Sequence, residues 1–399
     1  MEVKVIARTV EVGLEPSNLS EDMFTLGGRA AGVCYMPEDY FDSKIHNTVT
    51  AVKRANFNIG SGHHSPFDHG NITLQISGIP KIMAMILNST EFYTTSEKSA
   101  RYTVMKPETE TELNIYNKWV ALLDDKIAKI YPDIDDKSRN KLAMENARYM
   151  ISVFTPTHML YTTSFRQLSY LTTWLNSLIA NLKIRSNKFN DRLIPYCEEL
   201  ANEFYKLTSE IVVDNKAGKF QFLVKQYGGH SIPAEEYFKD QYQTSYLASF
   251  AQLAQAQRHR TIHYEMEFSG DNPGEFGCFI PPIIKNTELE TEWIGDFYTL
   301  APYFPQGTLV KVLEQGRVYW FLNKCKERLC GRAQLEIAQQ TAKTMEKIIK
   351  HRSELSLDMQ NELDKCIDNN EVCTKCKFKE FTCKEPCRWG SLHGLDRLI

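Results

Sequence analysis

The clearest periodic signal along the chain lies at residues 71–77. Ile72, Leu74 and Ile76 alternate with Thr73, Gln75 and Ser77, the period-two pattern of a strand with one buried face. "IPKIMAMILN" follows directly and predicts a helix with Pro80 in its first turn, where a missing backbone N–H costs nothing. Helical periodicity then fills 109–130, 137–151 and 165–183. A further helix, "FNDRLIPYCEELANEFYKL", is expected to be interrupted at Pro195, because proline removes one ladder hydrogen bond and clashes with the preceding turn. Strands and helices mixed in this way predict an α+β fold.

From about residue 209 the same order returns. His63-x-x-Pro66 recurs as His230-x-x-Pro233, and the loop that opens at Ser89 corresponds to one opening at Arg258. "TPTHMLYTTSFRQL" pairs with "PQGTLVKVLEQGRV", which sets Arg166 against Arg317, and "WLN" at 174–176 pairs with "FLN" at 321–323. Low identity in conserved order reads as a diverged tandem duplication. The expected domains are a first repeat at 1–208, a second at 209–355, and a small cysteine-rich module at 356–399. A chain of 399 residues suits such a division, being too long for one ordinary core.

Composition narrows the function. Hydrophobic residues make up 42% and charged residues 24%, and the net charge is −3, so a general nucleic-acid coat is excluded and any anion site must be local. "MEVKVIARTV" has no apolar leader, and "IPKIMAMIL" is too short to cross a bilayer. A cytoplasmic protein with no membrane partner is expected. Its ten cysteines then read as thiols or metal ligands, not disulfides.

Local charge is densest in "QAQRHRTIHYEMEF", where Arg258, His259 and Arg260 close a helical run. Guanidinium forks bind phosphate oxygens bidentately at any working pH. Gln255, three residues earlier on the same helix face, adds an amide suited to a base or flavin edge. The plain reading of the same stretch is a solvated basic helix end paired with Glu265 and Glu267. A second stretch, "STEFYTTSEKSARY", carries Glu97, Ser99, Arg101 and Tyr102.

Together these residues resemble the flavin-dependent thymidylate synthases, whose signature is R-H-R-x-x-S-x-N-E-x-S-x-R-Y. Arg258, His259 and Arg260 match its opening, and the later positions are lost in that half. In the first half Ser89, Thr90 and Glu91 replace the opening, whereas Glu97, Ser99, Arg101 and Tyr102 match the ending. "GRAAGVCY" and "GHHSPFDH" look like early motifs of the family, and "RLCGRAQLEI" like its late motif, with Leu335 where Trp is usual. Two tandem repeats of that α/β family fold are thus expected, each keeping the half-site the other has lost.

The resemblance implies an enzyme that methylates dUMP to dTMP with methylenetetrahydrofolate, FAD and NADPH. It assigns Arg258, Gln255 and Arg328 to the reacting pyrimidine, and Glu97, Ser99, Arg101, Tyr102 and Arg166 to substrate binding. It assigns His63, Arg258, His259, Arg260 and Asn323 to the flavin. A homodimer would rebuild the family's tetramer as a pseudo-tetramer. Methylation or hydroxymethylation of another pyrimidine nucleotide, or a non-catalytic flavin- or nucleotide-binding protein, are the competing readings. In the tail, Cys373, Cys376, Cys383 and Cys387 have a spacing that suits four thiolates around one zinc ion or an iron–sulfur cluster. Cys330 reads as a small buried hydrophobe.

Overall fold

The computed structural model describes all residues except 12, 14, 34–46, 90–92, 101, 102, 104, 209–230, 272, 384–386, 388 and 390–393. In chain order the elements begin with β1 (Glu2–Arg8), α1 (Leu19–Ala30), α2 (Thr48–Ser61), β2 (Asn71–Pro80), α3 (Lys81–Leu87) and β3 (Tyr93–Glu97). Next come α4 (Glu110–Ile130), α5 (Asp136–Ala147), β4 (Pro156–Ser164), α6 (Phe165–Ile184) and α7 (Lys188–Thr208). They continue with β5 (Tyr237–Phe238), β6 (Gln241–Ser249), α8 (Phe250–Ala256), β7 (His263–Glu267), α9 (Glu290–Leu300) and β8 (Leu309–Arg317). The last are α10 (Val318–Arg328), α11 (Leu335–Lys350), α12 (Leu357–Asp364), β9 (Ile367–Asp368) and β10 (Glu371–Val372). Helix and sheet are mixed, as the periodicity predicts. No helix among the described residues is long and apolar enough to cross a membrane.

Contacts divide the chain into two compact units, Met1–Lys98 with Pro156–Phe220, and Ser99–Thr155 with Gln221–Ile399. In the first, β1, β2, β4 and β3 form an antiparallel sheet in that order. Ile72, Leu74 and Ile76 of β2 are fully buried, as the alternation requires. Pro80 ends β2 and caps α3 instead of lying inside it. In helix α1, Gly28 lies so close to α2 that an added Cβ would fall 1.9 Å from the Ala51 carbonyl oxygen, so only glycine permits this approach. Helix α7 runs unbroken through Pro195, contrary to expectation. It buries Leu193, Cys197, Leu200, Ala201 and Phe204, and this apolar face outweighs a proline cost of about 3 kcal/mol.

In the second unit β5, β6, β8 and β7 form an antiparallel sheet with the same order of corresponding strands. In both sheets the second strand leads without a break into a seven-residue helix (α3, α8), then a five-residue strand (β3, β7). A helical connection follows, then a nine-residue strand (β4, β8) that runs straight into a helix (α6, α10). Register refines the sequence correspondence. Asn71 faces Ser164 and Gln241 faces Arg317. Arg317 therefore matches Ser164, the last residue of its strand, and not Arg166, which lies two positions further into the following helix. Glu97 pairs with Met159 and Met266 with Val312, each five residues before those strand ends. Met266, fully buried, thus holds the position that Glu97 has in the first sheet.

The segment 99–155 belongs to the first half by sequence and to the second unit by packing. Thr109 and Glu112 form a capping box that starts α4: the Thr109 hydroxyl bonds the Glu112 carboxylate at 2.9 Å and accepts from its backbone N–H at 3.2 Å. Along α4, Trp119 meets Trp293 of α9 edge-on, with ring centroids 4.7 Å apart. Lys118 Nζ and Trp119 Nε1 both donate to Asp296 Oδ2, at 2.6 and 2.8 Å. The tail packs here as well. Asn369 and Asn370, both at positive φ (51° and 63°), make the tight turn of the β9–β10 hairpin.

Cutting the chain at the repeat boundary should therefore damage the second unit. Residues 209–399 expressed alone are expected to bind a hydrophobic dye and to lack a cooperative unfolding transition, because Trp293 and Phe297 lose their cover. In the full chain, Trp119→Ala should lower stability by about 3–5 kcal/mol in denaturant titrations.

Candidate functional site

The second unit gathers polar side chains where α8 and α10 end and α11 begins. Helix α8 starts at Ser249, whose hydroxyl accepts from the Gln252 N–H, and carries Gln255 in its last turn. His259 is the third residue past the helix, in a turn held by its own N–H to the Ala256 carbonyl at 3.0 Å. Arg328 is the last residue of α10. Its Nε donates to His259 Nε2 at 2.7 Å, and one terminal nitrogen lies 3.4 Å from the Gln255 carbonyl oxygen. Burial first, then the Arg328 and Lys324 cations, lower the His259 pKa from 6.5 to about 2. The ring is neutral, and its Nε2 is an acceptor.

Gln255 also donates from Nε2 to Gln334 Oε1, while its own Oε1 is buried and has no hydrogen-bond partner. Gln334 Oε1 receives a second bond from Arg148, and Gln334 Nε2 donates to the Tyr149 hydroxyl. Tyr149 donates to Glu336 Oε2 at 2.8 Å, and that carboxylate accepts from the Ser249 N–H and hydroxyl at 2.9 and 2.6 Å. Burial raises the Glu336 pKa, and those bonds oppose the rise. Arg148, 5% exposed, is the residue that sequence reasoning missed. It is supplied by segment 99–155, and its only local signal is a cation at the apolar end of an otherwise polar helix. Gln334 and Glu336 were visible as part of "RAQLEI".

Beneath this cluster lies a second buried network. Lys324 Nζ and Glu314 Oε2 form an ion pair of 2.8 Å with both side chains 0% exposed. Glu314 also accepts from the hydroxyls of Tyr242 and Tyr246 at 2.7 and 2.6 Å. The Lys324 ammonium stands 5.4 Å from the Tyr264 ring centre. Burial and the Glu314 carboxylate push all three tyrosine hydroxyls well above their ordinary range, so they stay protonated.

The remaining predicted residues fall elsewhere. Arg258 lies just past α8 and is half-buried, and Arg260 is exposed. Asn323 sits half-buried on α10, its Oδ1 3.4 Å from Lys326 Nζ. Glu265 is buried and lies 3.2 Å from His263 Nε2. Glu267 accepts from the Ile232 N–H at 2.9 Å. In the first unit Glu97 pairs with Lys81 at 2.6 Å, and Arg166 donates to Asp68 at 2.7 Å. Ser164 holds the other Asp68 oxygen at 2.7 Å. His63 is exposed and follows the left-handed Gly62 that ends α2. Ser99 accepts from the Thr103 N–H and hydroxyl at 3.0 and 2.7 Å. Arg101, Tyr102 and His230 lie outside the described residues.

The four-cysteine expectation gains no support. Cys373 is buried with Cys366 and Cys325 in an apolar cluster that includes Phe321 and Leu322. Burial and then the neighbouring thiols of Cys383, Cys387 and Cys330 raise the Cys376 pKa. No group of three or more His, Cys, Asp or Glu among the described residues could hold a metal ion, so zinc or iron–sulfur ligation has no support here. The hairpin turn at Asn369 and Asn370 explains the arrangement, since it brings Cys373 back beside the Cys366 carbonyl, 3.9 Å away.

An α+β protein that places two amides and two arginines near an unsatisfied amide oxygen has the make-up of a site for an anionic, N–H-bearing ring. Residues 20–186 match the family model of the thymidylate synthase complementing proteins. Among solved structures it is similar to the UMP/dUMP methylase PolB from Streptomyces cacaoi bound with 5-Br dUMP, at 15% identity over 52% of this chain and 90% of that one, with a TM-score of 0.32. It is similar also to Thymidylate Synthase X from Helicobacter pylori with FAD and dUMP, at 16% identity over 54% and 100%, with a TM-score of 0.30. No curated protein matches it.

The neutral His259 has a pH signature. Between its folded pKa of about 2 and its unfolded value of 6.5, only the unfolded chain takes up the proton. Its contribution to stability is complete above pH 6.5 and declines as pH falls, by up to about 1.4 kcal/mol per unit. Denaturant titrations at pH 7.5, 6.0 and 5.0 should show the wild type losing stability faster than His259→Gln.

Proposed function

We propose that the chain is a flavin-dependent methylase that converts dUMP to dTMP with methylenetetrahydrofolate as carbon donor and NADPH as reductant. The observation that carries this reading is the buried, unpartnered Gln255 Oε1 beside the anchored Arg328. An orphan acceptor of this kind costs about 1–3 kcal/mol, and the N3–H of a uracil ring would satisfy it. Arg258 and Arg328 would face the ring carbonyl oxygens. Their cations stabilise negative charge as ring C5 attacks the donor carbon, so no enzyme nucleophile is required. The fully buried Cys325, its thiol pushed well above the ordinary range, is unsuited to that task in any case.

The same orphan acceptor and arginines fit a flavin, whose ring edge and diphosphate ask for the same donors. Arg260, Asn323 and His63 would complete that binding, and the flavin would supply the hydride that finishes the methyl group. Arg148 joins the arginines of the site. Ser99 and Arg101, helped by Arg166, would hold the nucleotide phosphate, with Glu97 and Tyr102 elsewhere on the substrate, and the shared strand order supports descent of both halves from one duplicated unit. The two halves would then form complementary parts of each site in a homodimeric pseudo-tetramer.

Purified protein should show flavin absorbance and release tritium from dUMP labelled at C5. UMP and dCMP run alongside define the pyrimidine, and bound flavin without turnover on any of them would sink the reading. Arg258→Ala and Arg101→Ala should each lower kcat by about 100- to 1,000-fold. Mixing the two inactive variants restores activity if sites are assembled across chains, and leaves the mixture inactive if they are assembled within one.

A further inference from the structure

We infer that His259 is a positioning residue, the neutral acceptor that aims Arg328, rather than a ligand contact of its own. The inference rests on the nucleotide-methylating reading for its effect on substrate, and on geometry alone for the contact. Arg328 reaches the end of α8 with one edge of its guanidinium: Nε to His259 Nε2 at 2.7 Å and a terminal nitrogen toward the Gln255 carbonyl at 3.4 Å. A planar fork fixed along its side edge has its end-on pair of nitrogens directed by the same contacts. The end-on pair is the part of the fork that recognises a phosphate or a carbonyl oxygen. Nε2 can accept only in the Nδ1–H tautomer, so one proton position on one ring sets the aim of the arginine.

The groups around His259 keep it in that form. Arg328 and Lys324, both from α10, oppose any third positive charge there. Lys324 in turn donates to Glu314 of β8, which accepts from Tyr242 and Tyr246 of β6. A buried acid and three protonated tyrosines thus fix the charge beneath the site. Protonation of His259 would remove the acceptor and set two cations 2.7 Å apart. The middle residue of Arg258-His259-Arg260 therefore differs in kind from its neighbours: it supplies a lone pair where they supply charge.

The test uses full-length protein carrying its flavin and has two arms. In the first, nitrogen-15 histidine NMR should show the His259 ring as the neutral Nδ1–H tautomer from pH 8 to pH 5.5, with its Nε2 resonance moved in Arg328→Lys. Titration of that ring near pH 6.5 overturns the inference, whatever the protein does to substrate. In the second arm, His259→Gln retains an acceptor and should bind dUMP within about threefold of wild type, whereas His259→Ala should lose roughly 10- to 100-fold, the usual size for a bond to a charged group. Flavin content should be equal in all three, and the His259→Ala loss should vanish in an Arg328→Ala background. Loss of flavin from His259→Ala, or additive losses in the double variant, overturns the inference in favour of direct contact. A protein that binds no dUMP but passes the first arm retains the contact and loses the methylase reading instead.

Discussion

Trp119 against Trp293 is the contact on which the candidate site depends. It joins α4, written in the first half of the sequence, to α9, written in the second, and the Asp296 carboxylate ties Lys118 and Trp119 to the same place. With that face docked, the chain emerging from α5 delivers Arg148 and Tyr149 to Gln334 and Glu336. An arginine 5% exposed needs such delivery, since a buried cation is tolerated only where its acceptors are fixed beforehand. Packing of two apolar rings thereby places a charge.

Much of the fold was legible because its signals were local. The alternation through Ile72, Leu74 and Ile76, and the long helical stretches, depend on neighbours within a turn or a pleat. The two sheets share one strand order although identity between the halves is low. Register could not be read from sequence. Arg166 and Arg317 resemble each other as letters, yet they stand two positions apart in equivalent strand ends. Pro195 misled for a physical reason: propensity argues for a break, and a buried apolar face that includes Leu193, Cys197, Leu200 and Phe204 overrides it.

The site was legible as residue types and less so as roles. Gln255, His259 and Arg328 do converge, but His259 spends its ring on Arg328. Nothing in the letters of Arg-His-Arg distinguishes a histidine that gives a proton from one that receives a bond. Cys373 likewise has metal-ligand spacing in sequence, and a two-residue asparagine turn folds it back into an apolar cluster with Cys366. Arg148 had no motif to announce it. Its importance comes from its bond to Gln334, 186 residues away, a separation that no windowed pattern spans.

That separation bears on how the chain is made. Asp296 follows Trp119 by 177 residues, and the second unit cannot close over α4 until it has been synthesised. At about 5–20 residues per second the apolar side of α4 waits roughly 10–35 seconds for its partner. Meanwhile β4 can already complete the first sheet, so 99–155 is a loop thrown out from a folded body with its tryptophan uncovered. A cell that makes this protein must shield that helix for the whole interval, and slow translation through residues 209–300 would lengthen the exposure without changing a single contact of the finished fold.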